Sequence, residues 1–410
     1  MKNGWLRAAL LVIGAPGGAF AQSTLSLQEA LAQALQNHPM LMVGEQRINA
    51  AQGQQRQAAL RYNPRLVLQN ENTRFTAPPP FPYWKDTDSF VYLQQTVETA
   101  NRRDLRTGVA SQQVKRAELE RELTAKQIAA RVKRAYWIAA GAQAVERLLG
   151  ESRGNFGKII EYHEARVREG AMAEADLLRV RLEGERLNVA INAALLDFQR
   201  FRIELFREMG RTEFPEVTMG DPLDGAAAPP VVADPDRALE ERTELKLGRA
   251  DIERARAALR LQQAQARPNV DALFGYKRTL GLNTLIGGIQ FDLPLSNRNQ
   301  GNIETAAAEI KVAEANLAAA SAVVRAEVTS ARRETEIRQR QITSVLIPML
   351  GQARQSGEIA RAAYLEGGAD LLRLLDAERV RLETEILYVR TLAEYRQSLA
   401  AVEAAMGIMP

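Results

Sequence analysis

Residues 169–210 read EGAMAEADLLRVRLEGERLNVAINAALLDFQRFRIELFREMG, and residues 366–407 read EGGADLLRLLDAERVRLETEILYVRTLAEYRQSLAAVEAAMG. The two segments align without a gap at an offset of 197: Gly170 meets Gly367, Leu177-Leu178 meets Leu374-Leu375, and Met209-Gly210 meets Met406-Gly407. Other elements recur in the same order, Pro64 with Pro268 and Asn101-Arg102 with Asn297-Arg298. A period this long is not that of a solenoid; it marks a duplicated unit of domain size. The chain divides into halves 22–210 and 235–410, joined by the Pro/Gly/Ala-rich stretch 211–234, which reads as a linker or a peripheral equatorial segment.

Helical periodicity fills the later part of each half. Ile303, Ile310, Leu317 and Val324 are spaced by seven, and Ala306, Ala313 and Ala320 follow the first three by three residues. This spacing predicts a coiled-coil seam whose small second position lets helices approach closely. Tyr388, Leu392, Tyr395, Leu399, Val402 and Met406 alternate steps of four and three. Ile191, Leu195, Phe198, Leu205 and Met209 keep that register in the first half, interrupted by Arg202. Each half is expected to hold two long helices, about 101–150 and 156–209, then about 301–350 and 353–406. At 1.5 Å per residue each would reach roughly 65–75 Å. Helical returns of the form Gly-x6-Leu-Leu stand at Gly170 and Gly367.

Ahead of the helices lie period-two segments, about 64–75 and 90–100, then about 269–280 and 284–296. Val270, Ala272, Phe274 and Tyr276 alternate with Asp271, Leu273, Gly275 and Lys277, and Leu285, Gly287, Ile289, Phe291 and Leu293 continue the pattern. With Gly281-Leu282-Asn283 as the turn, this is a hairpin with one apolar face. The loop TAPPPFPYWKDTDS carries Phe81, Tyr83 and Trp84, which suit either a membrane–water interface or an aromatic surface loop. Strands of about ten residues are long enough to cross a bilayer at a tilt. Four strands cannot close a barrel, and open edges cannot face lipid. If these strands span a membrane, three chains supply twelve, an even number that closes.

Composition narrows the function. MKNGWLRAALLVIGAPGGAFAQ carries Lys2 and Arg7, then apolar Ala8 to Ala15, then Ala19 and Ala21 before Gln22. Residues 1–21 therefore read as a secretory signal peptide. Removing Lys2 and Arg7 lowers the formal charge from +4 to +2, which leaves no footprint for nucleic acid. The chain has no cysteine, so disulfides, thiolate metal sites and a lipid anchor after the leader are not expected. It has two histidines, fewer ligands than a zinc enzyme normally uses. No hydrolase, phosphate-loop or zinc-protease motif occurs, so no catalytic, cofactor or metal residues are assigned.

This pattern resembles the TolC family of outer-membrane efflux proteins over nearly all of the mature chain. TLSLQEALAQALQNHPML looks like the family's N-terminal amphipathic helix, and GGIQFDLPLSNRNQGNI looks like the last strand and following helix start of the CzcC-type branch, which serves heavy-metal resistance pumps. Where that branch shows a Gly-Gly-Lys-Arg turn, the first half has QTVETANRRDLR. The resemblance implies a mainly α fold with a β-barrel portion. Three chains would build a twelve-stranded outer-membrane barrel in lipid above a periplasmic α-helical tunnel. It implies an exit duct, not an enzyme, working with a periplasmic adaptor and an inner-membrane pump of the RND type. The residues alone leave two other readings open, a periplasmic adaptor and a structural coiled-coil protein of an export complex.

The resemblance also assigns the returns. Gly170, Leu177, Gly367 and Leu374 would form adaptor-docking tips. The family's aperture carries an acidic pair on the second return; Asp376 matches one member and Arg373 stands at the other. Asp370, Arg373 and Asp376 read equally as a solvated helix face. The family's closed state uses an Asp–Tyr hydrogen bond, whose positions here are Asp176 and Tyr364. His163, between Glu161 and Glu164, reads as a solvated helix residue. His38, before Pro39, is expected as a cation at a helix C-terminus. Asn297 to Gly301 reads as a strand-to-helix corner whose asparagine caps the next helix.

Overall fold

The computed structural model describes residues 23–73, 83–224 and 234–408. The expected signal peptide, Phe81 of the Pro-rich loop and residues 225–233 lie outside the described residues. In chain order the elements are β1 (Ser23–Leu25), α1 (Leu27–Asn37), α2 (Pro39–Ala58), β2 (Arg65–Glu71), α3 (Tyr83–Asp86) and β3 (Asp88–Val97). Then come α4 (Arg102–Arg168), α5 (Glu174–Glu208), β4 (Val217–Met219), α6 (Pro235–Glu241) and α7 (Thr243–Gln265). The chain continues through β5 (Val270–Thr279), β6 (Leu282–Gln290), α8 (Gln300–Arg340), a π-helical segment (Gln341–Leu346), α9 (Ile347–Leu365) and α10 (Leu371–Ala405).

The long helices lie side by side as a layer. Near the sheet, α4 is flanked by α2 and α7, and α7 by α8. Farther down, α4 is flanked by α5 and α10, and α10 by α8 and α9. The predicted α8 seam faces inward: Ala306 and Val324 are buried, and Ile303, Ile310, Ala313, Leu317 and Ala320 are half-buried between exposed neighbours. Arg202, which interrupts the α5 seam, stays buried with its guanidinium 3.8 Å from Glu216.

The main core sits at the waist, where Tyr136, Trp137, Leu205, Phe206, Met209 and Tyr395 meet α1 and the π segment. A two-stranded parallel strap, β1 on β4, crosses it. Asp221 fastens the strap, accepting from the Tyr136 hydroxyl at 2.5 Å and the Leu27 N–H at 2.7 Å. Burial, with this hydrogen bond, pushes the Tyr136 hydroxyl well above the usual phenol range. Gln143 extends the strap by bonding both the Met219 carbonyl and N–H.

Several expectations change. The break expected near 150–156 is absent: α4 runs 67 residues, about 100 Å, and ends only before Gly170. The break expected near 350 is a π segment without a reversal, and the return falls at Gly367. Pro348 explains the π segment, because proline cannot donate to the carbonyl one turn back and its ring crowds that turn. The corner asparagines that correspond are Asn101 and Asn299, not Asn101 and Asn297. Both are N-caps with left-handed φ, +54° and +60°, and neither side chain makes a cap hydrogen bond. The Asn299 amide instead donates to the Gln262 carbonyl at 2.8 Å. The β5–β6 turn is Leu280-Gly281, both at positive φ, with Leu282 already paired to Thr279.

Candidate functional site

Two regions carry chemistry that the waist does not explain. The first is the sheet. Its order is β2-β3-β5-β6, antiparallel throughout, with β3 pairing to β5 across the two halves. Gly275 permits that pairing: a Cβ there would lie 2.2 Å from the Val91 carbonyl oxygen. The register lines up Leu66, Leu93, Phe274 and Gly287 in one row, and Leu68, Val91, Tyr276 and Leu285 in the next. All the large side chains in these rows are exposed, Leu68 at 70% and Leu285 at 75%. A continuous apolar face of this kind marks contact with lipid or protein. Among the described residues, β2 and β6 each pair on one side only. At one end of the sheet the Arg278 guanidinium lies 5.8 Å from the centre of the exposed Trp84 ring.

The second region is the pair of returns. Gly170 and Gly367 have φ of +72° and +79°, a conformation that L side chains rarely adopt. Each closes its helix with the same two hydrogen bonds. Ala171 N–H donates to Arg166 C=O at 2.9 Å and Gly170 N–H to Val167 C=O at 3.0 Å. Gly368 N–H donates to Ala363 C=O at 2.7 Å and Gly367 N–H to Tyr364 C=O at 3.1 Å. This is the Schellman closure, which satisfies carbonyls that a helix end leaves open. Leu177 and Leu374 are buried beneath the returns, while Leu178 and Leu372 stay exposed.

The charged residues at the second return separate. Asp370 is the N-cap of α10, accepting from the Arg373 N–H at 2.9 Å, so it is not merely a solvated charge. The Arg373 side chain is exposed. Asp376 is exposed and ion-paired with Arg379 at 2.7 Å, which offsets the charge expected of it.

Tyr364 does not bond to Asp176 within this chain. Its hydroxyl lies 2.7 Å from His163 Nε2 and 3.9 Å from Met172 Sδ. Asp176 acts on it only through space, and burial is the main reason its hydroxyl is held above the usual phenol range. His163 is fully buried, contrary to the solvated position expected from its glutamate neighbours. The signal was present in the spacing: Leu149, Phe156 and His163 recur every seven residues, and all three are buried. His38 also differs from expectation. Its Nδ1 accepts from the Met40 N–H at 3.1 Å as the N-cap of α2, which requires a neutral ring there. Burial, with Arg131 nearby, pushes its pKa below the usual imidazole value. Among the described residues, no group of three or more His, Cys, Asp or Glu is arranged to hold a metal ion.

Comparison with known proteins agrees with this architecture. The family model for outer membrane efflux proteins matches residues 30–211 and 235–408. The chain is 22% identical, over 94% of its length and 91% of the relative's, to the cobalt-zinc-cadmium resistance protein CzcC of Cupriavidus metallidurans. Its fold is similar to that of CusC, with a TM-score of 0.77 at 16% identity and 99% of each chain covered. It is also similar to the outer membrane protein VceC of Vibrio cholerae, with a TM-score of 0.71 at 21% identity, covering 93% of this chain and 96% of that one.

Proposed function

The chain belongs to the outer membrane efflux protein family, and from that premise we propose that three copies form a passive exit duct of a tripartite efflux pump. One observation carries the reading: a four-stranded sheet with an exposed apolar face and two half-paired edges continues into helices about 100 Å long. Unpaired strand edges are not tolerated in lipid, so the edges must meet other copies. Three copies supply twelve strands, which close into a barrel. The helical layer is open in the same way, with apolar residues exposed along its flanks. Leu182, Val189 and Leu196 lie on α5, and Val312, Val323 and Ile359 lie on α8 and α9. Joining these flanks between copies would close a periplasmic tunnel beneath the outer-membrane barrel.

In this reading the units 22–210 and 235–410 each contribute half of a subunit, and the described part of the segment between them, 211–224, lies at the waist. The tips at Gly170, Leu177, Gly367 and Leu374 dock a periplasmic adaptor, which links the duct to an inner-membrane pump of the RND type. Asp176, Tyr364, Arg373 and Asp376 border the aperture. Heavy-metal cations are the proposed cargo, by likeness to the cobalt-zinc-cadmium resistance relative. The protein is not an enzyme. A periplasmic adaptor or a structural coiled coil would have no use for a sheet of seven- to ten-residue strands with its apolar face outward.

Planar-bilayer recording tests the reading. The purified protein should insert and give discrete single-channel steps, and its deletion should sensitise cells to divalent metals. Gly367→Trp should abolish efflux while leaving assembly intact. Failure to conduct in any bilayer would exclude the duct, and normal efflux by Gly367→Trp would exclude the docking assignment.

A further inference from the structure

His163 and Tyr364 belong to different hairpins, α4–α5 and α9–α10, and stand 201 residues apart in the chain. His163 Nδ1 lies 2.7 Å from the Ile159 carbonyl oxygen. A carbonyl can only accept, so Nδ1 carries the hydrogen. In the neutral ring Nε2 is then the acceptor, and the Tyr364 hydroxyl donates to it across 2.7 Å. The two rings stack at 5.6 Å with 12° between their planes, and Tyr162 meets Tyr364 edge-on at 6.4 Å. Between residues 150–190 and 350–390, all described, no other hydrogen bond or ion pair crosses from one hairpin to the other, apart from the weak Tyr364–Met172 contact. The remaining contacts are apolar: the cluster of Phe156, Val180, Leu371 and Leu374, and a second one that gathers Leu187, Leu382 and Ile386. Apolar contact is non-directional and tolerates sliding; a hydrogen bond holds one distance and one angle.

We propose that His163 is a positioning residue of the tip aperture, clasping Tyr364 through a buried imidazole and so holding the second return against the first. This rests on the duct reading above. Around the pair stand Tyr162 and Arg166 on α4, Met172 in the return and Asp176 on α5, while α10 contributes Leu371 and Leu374.

Single-channel recordings of the full protein test this. His163→Ala and Tyr364→Phe should each raise open occupancy about fivefold over wild type, the double variant adding little. His163→Gln, which keeps one donor and one acceptor, should restore most of the clasp that His163→Ala loses. Subunit mass in detergent and helical circular dichroism check assembly of each variant. If His163→Ala fails to assemble, Tyr364→Phe decides. Wild-type occupancy in Tyr364→Phe, or additive effects in the double variant, overturns the clasp. A wild type that never conducts overturns the duct reading and the clasp together.

Discussion

At the same offset of 197 residues, the first hairpin closes Glu164 on Arg181 at 2.7 Å and the second closes Arg361 on Glu378 at 2.5 Å. The geometry is kept and the charges are exchanged. One turn farther from the tip the bulky and small residues are exchanged too. Gly184 faces Ile160 in the first hairpin, whereas Arg381 faces Gly357 in the second. From there the hairpins diverge. Arg381 bridges Glu378 and Glu385 at 2.8 Å each, and Arg354 closes on Glu385 at 3.0 Å, which makes a five-residue charged ladder between α9 and α10. The first hairpin has no such ladder, and its long helix α4 is unbroken where the second half carries the π segment and Pro348. A duplicated hairpin can thus reverse a pair as a pair, because only the match across the interface matters. The returns cannot drift in this way, because the backbone itself requires φ above zero at Gly170 and Gly367.

The comparison makes graded predictions, read as the apparent unfolding midpoint of the purified protein in detergent by far-ultraviolet circular dichroism. The largest concerns the unbroken helix. Glu151 is the position in α4 that corresponds to Pro348. Glu151→Pro should cost about 3 kcal/mol or more, because α4 has no π segment to absorb the ring. A near-neutral result would mean that α4 is as accommodating as its counterpart. Next is the ladder: Glu378→Ala leaves Arg361 and Arg381 without their shared partner in a site only 9% exposed. A loss of about 2 kcal/mol is expected, below the usual range for a broken buried pair because Arg361 reaches solvent. Pro348→Ala should be stabilising by about 1 kcal/mol, since it restores a backbone donor; destabilisation would show that the π segment has another cause. Smallest is Arg181→Ala in the exposed pair of the first hairpin, at less than about 1 kcal/mol. If Arg181→Ala costs as much as Glu378→Ala, the two hairpins are held alike and the contrast fails.

What the sequence disclosed follows the strength of each physical signal. Side-chain alternation marked the β5 and β6 strands, and seven-residue spacing marked the α8 seam, because burial imposes those periods directly. The return glycines were legible because a positive φ narrows the choice of residue. Gly150, Gly154 and Gly157 weaken the helical signal around 150–156, and packing of α5 along α4 holds the helix through them. The Asn101–Asn299 correspondence was hidden by a second asparagine two residues earlier, and only backbone φ distinguishes the two. His163 was misjudged from its glutamate neighbours in the chain, although its heptad position placed it on the inner face. Its partnership with Tyr364 joins residues of different hairpins, and no local pattern encodes that.

The central claim is that the exposed sheet face and its half-paired edges are completed by two further copies of the chain in lipid. Light scattering of the detergent-purified, full-length protein measures this directly, with the bound detergent subtracted. The account predicts three times the mass of the mature chain, and aggregation when detergent is withdrawn. A stable monomer that stays soluble without detergent would contradict it.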